Sequence, residues 1–193
     1  STMEFVRECL MCAAEERVAL MNVVEEASRA AQRGEPNEIG IRFEYAAFEA
    51  PVVVKGWQER AREGGGTEST GVEKDYTVRH FGRFAPTLTV SRPAAYFVPP
   101  GFDQVIENLR AHGVEMEEVR IERDVDVEEA SVRVEDGREF QGRMMKRVDV
   151  VETRRTERRI GPGWWRVPAD QRLGNLVVYL LEAGSDDGLA VWG

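Results

Sequence analysis

The sequence predicts an α+β protein, with a long N-terminal helix and a central helix packed on a largely antiparallel β-sheet or sandwich. Three observations predict it. Residues 1–33 carry apolar side chains at three- and four-residue steps, the spacing of one helix face. Residues 39–55 and 116–159 alternate apolar with polar side chains, the period of a half-buried strand. Between these β-like stretches, residues 91–113 read as a short strand, a proline turn and one amphipathic helix.

The elements follow in order. Ser1 and Glu4 stand at capping-box spacing, and Phe5, Val6, Cys9, Cys12, Ala13, Val18, Met21, Val24 and Ala27 build one apolar stripe. Gly34 suits a left-handed stop and Pro36 prevents continuation. At about 30 residues this helix exceeds a typical one, and it is expected to lie along the body of the protein or against something preceding it. Ile41, Phe43 and Tyr45 alternate with Arg42 and Glu44, and Val52–Val54 form a second strand. Residues 64–71, Gly-Gly-Gly-Thr-Glu-Ser-Thr-Gly, have the composition of a solvated internal loop. They lack the Gly-Lys-Ser/Thr continuation of a phosphate-binding loop. Tyr76 to Val90 reads as strand with breaks. Ala94 to Val98 is a short buried strand, Pro99-Pro100-Gly101 turns the chain, and Phe102, Val105, Ile106 and Leu109 give the central helix its buried face. Gly113 ends it.

The remaining chain is mostly β. Val119–Ile121, Val125–Val127 and Val132–Val134 alternate, and Asp136-Gly137 is a hairpin signal. Glu152 to Arg159 is a long charged arm, Gly161-Pro162-Gly163 a turn, and Trp164–Val167 a strand. Leu173 to Leu181 is apolar throughout, so periodicity does not separate strand from helix, and a short helix packed on the sheet is favoured; Leu189 to Trp192 is a closing strand or tail. No fixed-period repeat is visible, which disfavours solenoids and propellers. Residues 1–193 therefore read as a single domain.

Charge and composition narrow the function. The 193 residues carry a net charge of -9, which argues against general nucleic-acid or anionic-membrane binding, since both need a cationic face. No apolar run approaches the roughly 18 residues of a membrane span, and the first residues lack a signal-peptide pattern. Two cysteines make no disulfide framework and leave the compartment undefined.

Several residue groups are candidates for chemistry. Cys9-Leu10-Met11-Cys12 has redox-motif spacing, but it falls inside a helix with apolar residues between, so the thiols are expected to be buried and free. His80 and His112 are too far apart in sequence for a paired metal site. His112 is expected to sit against the C-terminal dipole of its helix. Asp186-Asp187 reads as a turn whose side chains satisfy backbone amides. Arg154, Arg155, Arg158 and Arg159 form the densest basic cluster. They are expected on a solvated β arm with cross-strand charge pairs, or as contacts for an acidic peptide or phosphate. Trp57, Trp164, Trp165 and Trp192 could supply an aromatic platform for peptide or glycan. Adjacent Trp164 and Trp165 point to opposite strand faces, so one of them is expected at the surface.

One resemblance emerges from particular segments. Arg92-Pro93-Ala94-Ala95-Tyr96-Phe97-Val98-Pro99-Pro100 resembles a stretch following the catalytic domain of bacterial zinc carboxypeptidase-like proteins, of the metallocarboxypeptidase family. Leu109-Arg110-Ala111-His112-Gly113-Val114 and Gln171-Arg172-Leu173-Gly174-Asn175-Leu176 are similar too. So are Tyr179-Leu180-Leu181-Glu182 and Ser185-Asp186-Asp187-Gly188-Leu189 with Trp192. The likeness covers Arg92 to Trp192 and implies a noncatalytic accessory domain. Its expected partner is the catalytic carboxypeptidase-like domain, and its expected role is to support that domain or present peptide substrate. The zinc of that family is held by a His-x-x-Glu pair and a later His. His80 does not fit this pattern. His112-Gly113-Val114-Glu115 fits its letters, but no later histidine completes it. Hence no catalytic residue, metal ligand or cofactor is assigned to this chain, and zinc is implied for the catalytic domain alone. Two other readings stand beside it. One is an independent peptide- or carbohydrate-binding module using Trp164, Trp165, Arg154, Arg155 and Arg158. The other is a stand-alone hydrolase whose site is not readable from sequence.

Overall fold

The computed structural model describes Thr2–Gly193. Ser1, the expected helix cap, lies outside the described residues. The chain is α+β, with its strands divided among four small sheets. Its elements begin with α1 (Thr2–Glu15), α2 (Arg17–Gln32), β1 (Glu38–Ala46), β2 (Val52–Ala61), β3 (Thr67–Val78) and β4 (Arg83–Ser91). There follow β5 (Ala95–Val98), α3 (Asp103–Ala111), β6 (Glu117–Glu118), β7 (Arg123–Phe140), β8 (Arg143–Ile160), β9 (Trp165–Pro168), α4 (Gly174–Leu181) and α5 (Leu189–Trp192). Two compact units result. The larger joins the residues up to Arg42 with Leu88–Gly193, and the smaller is Phe43–Thr87.

In the larger unit, the sequence predicts one N-terminal helix where the structure has two. Glu16 stands between them with φ -93° and ψ 15°. It still accepts from Leu20 N and donates to Cys12 O, both at 2.9 Å. No Gly or Pro marks the break, which is why periodicity alone runs through it. The end of α2 follows its sequence signal closely. Gly34 takes φ 76°, Gly34 N donates to Ala31 O at 3.0 Å, and Glu35 N donates to Ala30 O at 2.8 Å. This is the paired left-handed stop of a Schellman motif. The apolar stripe, however, covers little. No residue of α1 is buried, and in α2 Ala31 alone is. Cys9 and Cys12 are exposed, contrary to the expectation of buried thiols, because the helix that carries them buries none of its residues.

The core forms where the central segment meets the C-terminal one. A three-stranded sheet runs β5-β9-β6, with Val98 opposite Trp165 and Tyr96 opposite Val167 in antiparallel register. Against it lie Ile106 and Leu109 of α3, Val114, and Val177 and Leu180 of α4. Leu109, Val167 and Val177 are wholly excluded from solvent, and burying such side chains is worth about 1.5–3 kcal/mol each. A second cluster joins Ile39, Ile41, Ala169 and Val178. At the end of α3, Gly113 takes φ 78° and Val114 N donates to Leu109 O at 3.0 Å.

Three expectations for the second half need correction. The β7–β8 hairpin turns at Gln141-Gly142, with φ 50° and 78°, between paired Phe140 and Arg143. Both central residues are left-handed, as a tight two-residue hairpin turn requires. Asp136-Gly137, the predicted turn, instead lies in an irregular stretch of β7. There a Cβ on Gly137 would come within 2.9 Å of Met145 O, so this glycine answers a close cross-strand approach. Val119–Ile121 is not a strand: β6 stops at Glu118, and Val119 N bonds Trp164 O at 2.8 Å. Leu189–Trp192 is a short helix rather than a strand.

The smaller unit contains the β2–β3 hairpin, in register from Val52↔Val78 to Ala61↔Thr67. Gly64, Gly65 and Gly66 make its turn with φ 99°, 104° and 82°. The loop expected over 64–71 is therefore shorter than predicted, since Thr67–Gly71 belong to β3. No residue of Phe43–Thr87 is buried. Its aromatic rings pair at the surface, Tyr45 with Phe84 at 4.7 Å and Phe48 with His80 at 5.1 Å.

Candidate functional site

The two N-terminal helices carry many exposed apolar side chains. Phe5 is 71% exposed, Leu10 66%, Met21 69% and Val23 69%. Contiguous apolar surface of this kind marks an interaction site more often than it is left bare. Along α2 the surface deepens into a groove of about 600 Å3, lined by Leu20, Met21, Val24, Glu25, Ser28, Arg29, Gln32 and Arg172. More of its lining surface is apolar than polar. Arg29 is ion-paired with Glu25 one turn away, so those two charges offset each other. Arg172, which precedes α4, has no ion pair among the described residues.

Polar side chains fix the elements around this surface. Arg92 donates to Pro36 O at 3.2 Å, Glu35 O at 3.3 Å, Ala169 O at 2.8 Å and Asn175 Oδ1. One guanidinium thus ties the end of α2 to the start of α4, using the planar fork of donors that only arginine has. Burial pulls Arg92 below the usual guanidinium range. The Tyr96 hydroxyl donates to Glu182 Oε1 at 2.6 Å. Burial pushes that hydroxyl well above the ordinary tyrosine value, and the Glu182 carboxylate beside it adds to the rise. Gln171 is buried yet fully used: its amide donates to Glu115 O and Pro168 O, and its carbonyl accepts from Glu115 N. Arg92, Tyr96, Gln171 and Glu182 lie within the segments singled out above for their resemblance. Nothing in their local spacing reveals that they bond across more than fifty residues.

The predicted binding residues are not brought together around a cavity. Trp165 is half-buried, packs against the core and carries Arg110 over its ring at 5.6 Å. Trp164 is also half-buried. Trp192 donates its indole N–H to Asp187 Oδ1 at 2.6 Å. That bond accounts for one of the two adjacent aspartates. Trp57 is exposed in the smaller unit. On β8, Arg154 and Arg158 both reach Glu129, Arg155 reaches Glu128 at 3.7 Å, and Arg159 reaches Asp124 at 3.2 Å. Cross-strand register explains the pattern, because Arg154, Arg155 and Arg159 stand directly opposite Glu129, Glu128 and Asp124. The Arg158 and Arg154 cations hold the Glu129 carboxyl below its usual range. Asp126 opposite Glu157 is a like-charge pair within the same arm.

Other titratable groups are dispersed. His112 Nδ1 lies 2.9 Å from Asn108 O at the end of α3, the helix-terminal position expected for it. A smaller hollow of about 270 Å3 is lined by Arg42, Lys146, Arg147, Asp149 and Asp186 among others. There Lys146 is paired with Asp136 and Arg147 with Asp149, and Arg42 donates to Gly184 O and Val148 O. Among the described residues no group of three or more His, Cys, Asp or Glu side chains is placed to hold a metal ion. Comparison with protein families, curated proteins and solved structures finds no match for this chain.

Proposed function

We propose that this chain is a noncatalytic accessory domain of a zinc carboxypeptidase-like protein, and that α1 and α2 are the face it lays against the catalytic domain. The uncovered apolar stripe carries the proposal. Fourteen residues of α1 bury none of their side chains, although Phe5, Val6 and Leu10 are apolar. Helices in water derive most of their stability from packing an apolar face rather than from propensity. A helix pair with this composition is therefore explained by a second polypeptide surface. In that assembly α1 and α2 serve as one long helical support. The link to a carboxypeptidase rests on the resembling segments, which supply β5, the end of α3 and most of α4, and with them Val98, Leu109, Val114 and Leu180 of the main core cluster. They speak for a shared scaffold rather than a shared reaction.

Cys9 and Cys12 report on the test, since both thiols are exposed. When the chain is mixed or co-expressed with the catalytic domain of a zinc carboxypeptidase-like protein, maleimide labelling of both thiols is expected to slow at least tenfold. Unchanged labelling would count against docking through these helices. Release of C-terminal residues from peptides by the isolated chain with added zinc would overturn the noncatalytic reading.

A further inference from the structure

We propose that Cys9 and Cys12 form a two-thiolate site for a soft monovalent metal ion, Cu(I), on the surface of α1. The site stands apart from the docking reading and needs no partner. Its spacing is weak evidence in a sequence, because a buried thiol pair is inert. Here both thiols are free and exposed. Both also lie within the one helix Thr2–Glu15. Three residues apart on a helix, they share a face.

Geometry decides between the two reactions open to such a pair. Helical side chains at this spacing have their Cβ atoms about 5–6 Å apart, whereas a disulfide draws them to about 3.5–4.5 Å. Oxidation to a disulfide therefore requires α1 to unwind locally. A metal ion held between the sulfurs does not. Two metal–sulfur bonds of about 2.3 Å keep the sulfurs up to about 4.6 Å apart, which suits the helical separation.

The donor set then selects the ion. The chain has two cysteines in all, and among the described residues no third His, Cys, Asp or Glu joins them in a metal-holding group. Met11 stands between them, but its thioether lies 3.5 Å from Arg7 Nη1. Glu4 and Glu8 of the same helix are held by Arg7 as well. Structural Zn(II) takes four ligands. Cu(I) is soft, prefers sulfur and is satisfied by two thiolates in line. Binding converts Cu(I) and two thiols into a bis-thiolate with one negative charge and releases two protons. No oxidant or reductant is consumed.

The test uses the full chain without oxygen, with Cu(I) maintained by ascorbate and offered in competition with the coloured chelator bicinchoninate. The chain is expected to withdraw one Cu(I) per molecule, and both thiols should then resist maleimide. Cys9→Ser and Cys12→Ser should each weaken binding at least a hundredfold, about the least that a tethered second ligand adds. Circular dichroism should not change, since α1 buries none of its residues. Two double variants keep two thiols and move one. Cys12→Ser with Ala13→Cys leaves the pair on one face, four residues apart, and should bind within about threefold of the parent. Cys12→Ser with Met11→Cys turns the thiols to different faces and should bind as poorly as the single variants. Cu(I) left with the chelator overturns the proposal. So does undiminished binding when the thiols are two residues apart. One Cu(I) per two chains, with a dimer in light scattering, overturns it too, because the site would then be shared between copies.

Discussion

Tyr96 is the residue on which the core's polar wiring is most easily tested. Its hydroxyl is held protonated by burial and by Glu182, so its folded value lies above the ordinary 10.0. Below pH 10 the resulting stabilisation is fully present. Above it the unfolded chain loses a proton that the folded chain keeps, and stability falls as pH rises. Tyr96→Phe is expected to cost about 1.5–3 kcal/mol near neutrality, the worth of a hydrogen bond to a charged acceptor. It should also flatten the alkaline decline. Urea midpoints at pH 8 and pH 11 for both proteins measure the two effects, and parallel declines would show that Tyr96 does not carry the alkaline sensitivity. The sequence marks Tyr96 only as an apolar-flanked strand residue. Its partner lies 86 positions away, a distance at which no local pattern operates. The exposed thiols failed to be legible for the opposite reason. Periodicity shows that Cys9 and Cys12 share an apolar face, but not whether anything in the chain covers that face.

Helices and turns with local signals were the readable elements. The stop at Gly34, the stop at Gly113 and the central helix follow from spacing and from glycines that take positive φ, whereas the continuous apolar run of α4 shows no period that separates helix from strand. Hairpin geometry was less legible, because Asp136-Gly137 and Gln141-Gly142 compete as turns five residues apart. The chain uses the second, where both residues are left-handed. Gly174 is a glycine of another kind. Its φ is ordinary, but an added Cβ would overlap the Ala169 carbonyl oxygen and lie 2.7 Å from Arg92 Nη1. Gly174→Ala is expected to displace the start of α4 and cost about 2–3 kcal/mol, in the range of overpacking at a site that cannot relax. Thermal denaturation measures it, and a change below about 0.5 kcal/mol, the usual surface scatter, would show that the backbone yields there.

For the molecule as a whole, burial is concentrated in one place. The β5-β9-β6 sheet with α3 and α4 holds the main cluster, whereas Phe43–Thr87 buries none of its residues. Cooperative protection should divide in the same way. In hydrogen exchange, the amides of β5, β9 and α4 are expected to be protected at least a hundredfold more than those of β2 and β3. Similar protection in both would mean that the hairpin gains stability from packing not visible as burial. Hydrophobic periodicity predicts the α+β class, but the division into two units was not legible. The Gly-rich run was read as a loop inside one domain, while the boundary falls within β1 and just before Leu88, where composition does not change.

The Gly64-Gly65-Gly66 turn has a practical consequence. Nothing lies within 4 Å of a Cβ built at any of the three, and the strands on either side are already paired from Glu59↔Ser69 to Ala61↔Thr67. Lengthening such a tip adds only a slowly growing closure entropy. A short epitope or a fluorophore-bearing peptide can therefore be spliced in there. It would give the protein an addressable handle at a point remote in sequence from the helices, the strand-turn-helix and the charged ribbon whose behaviour one would wish to watch.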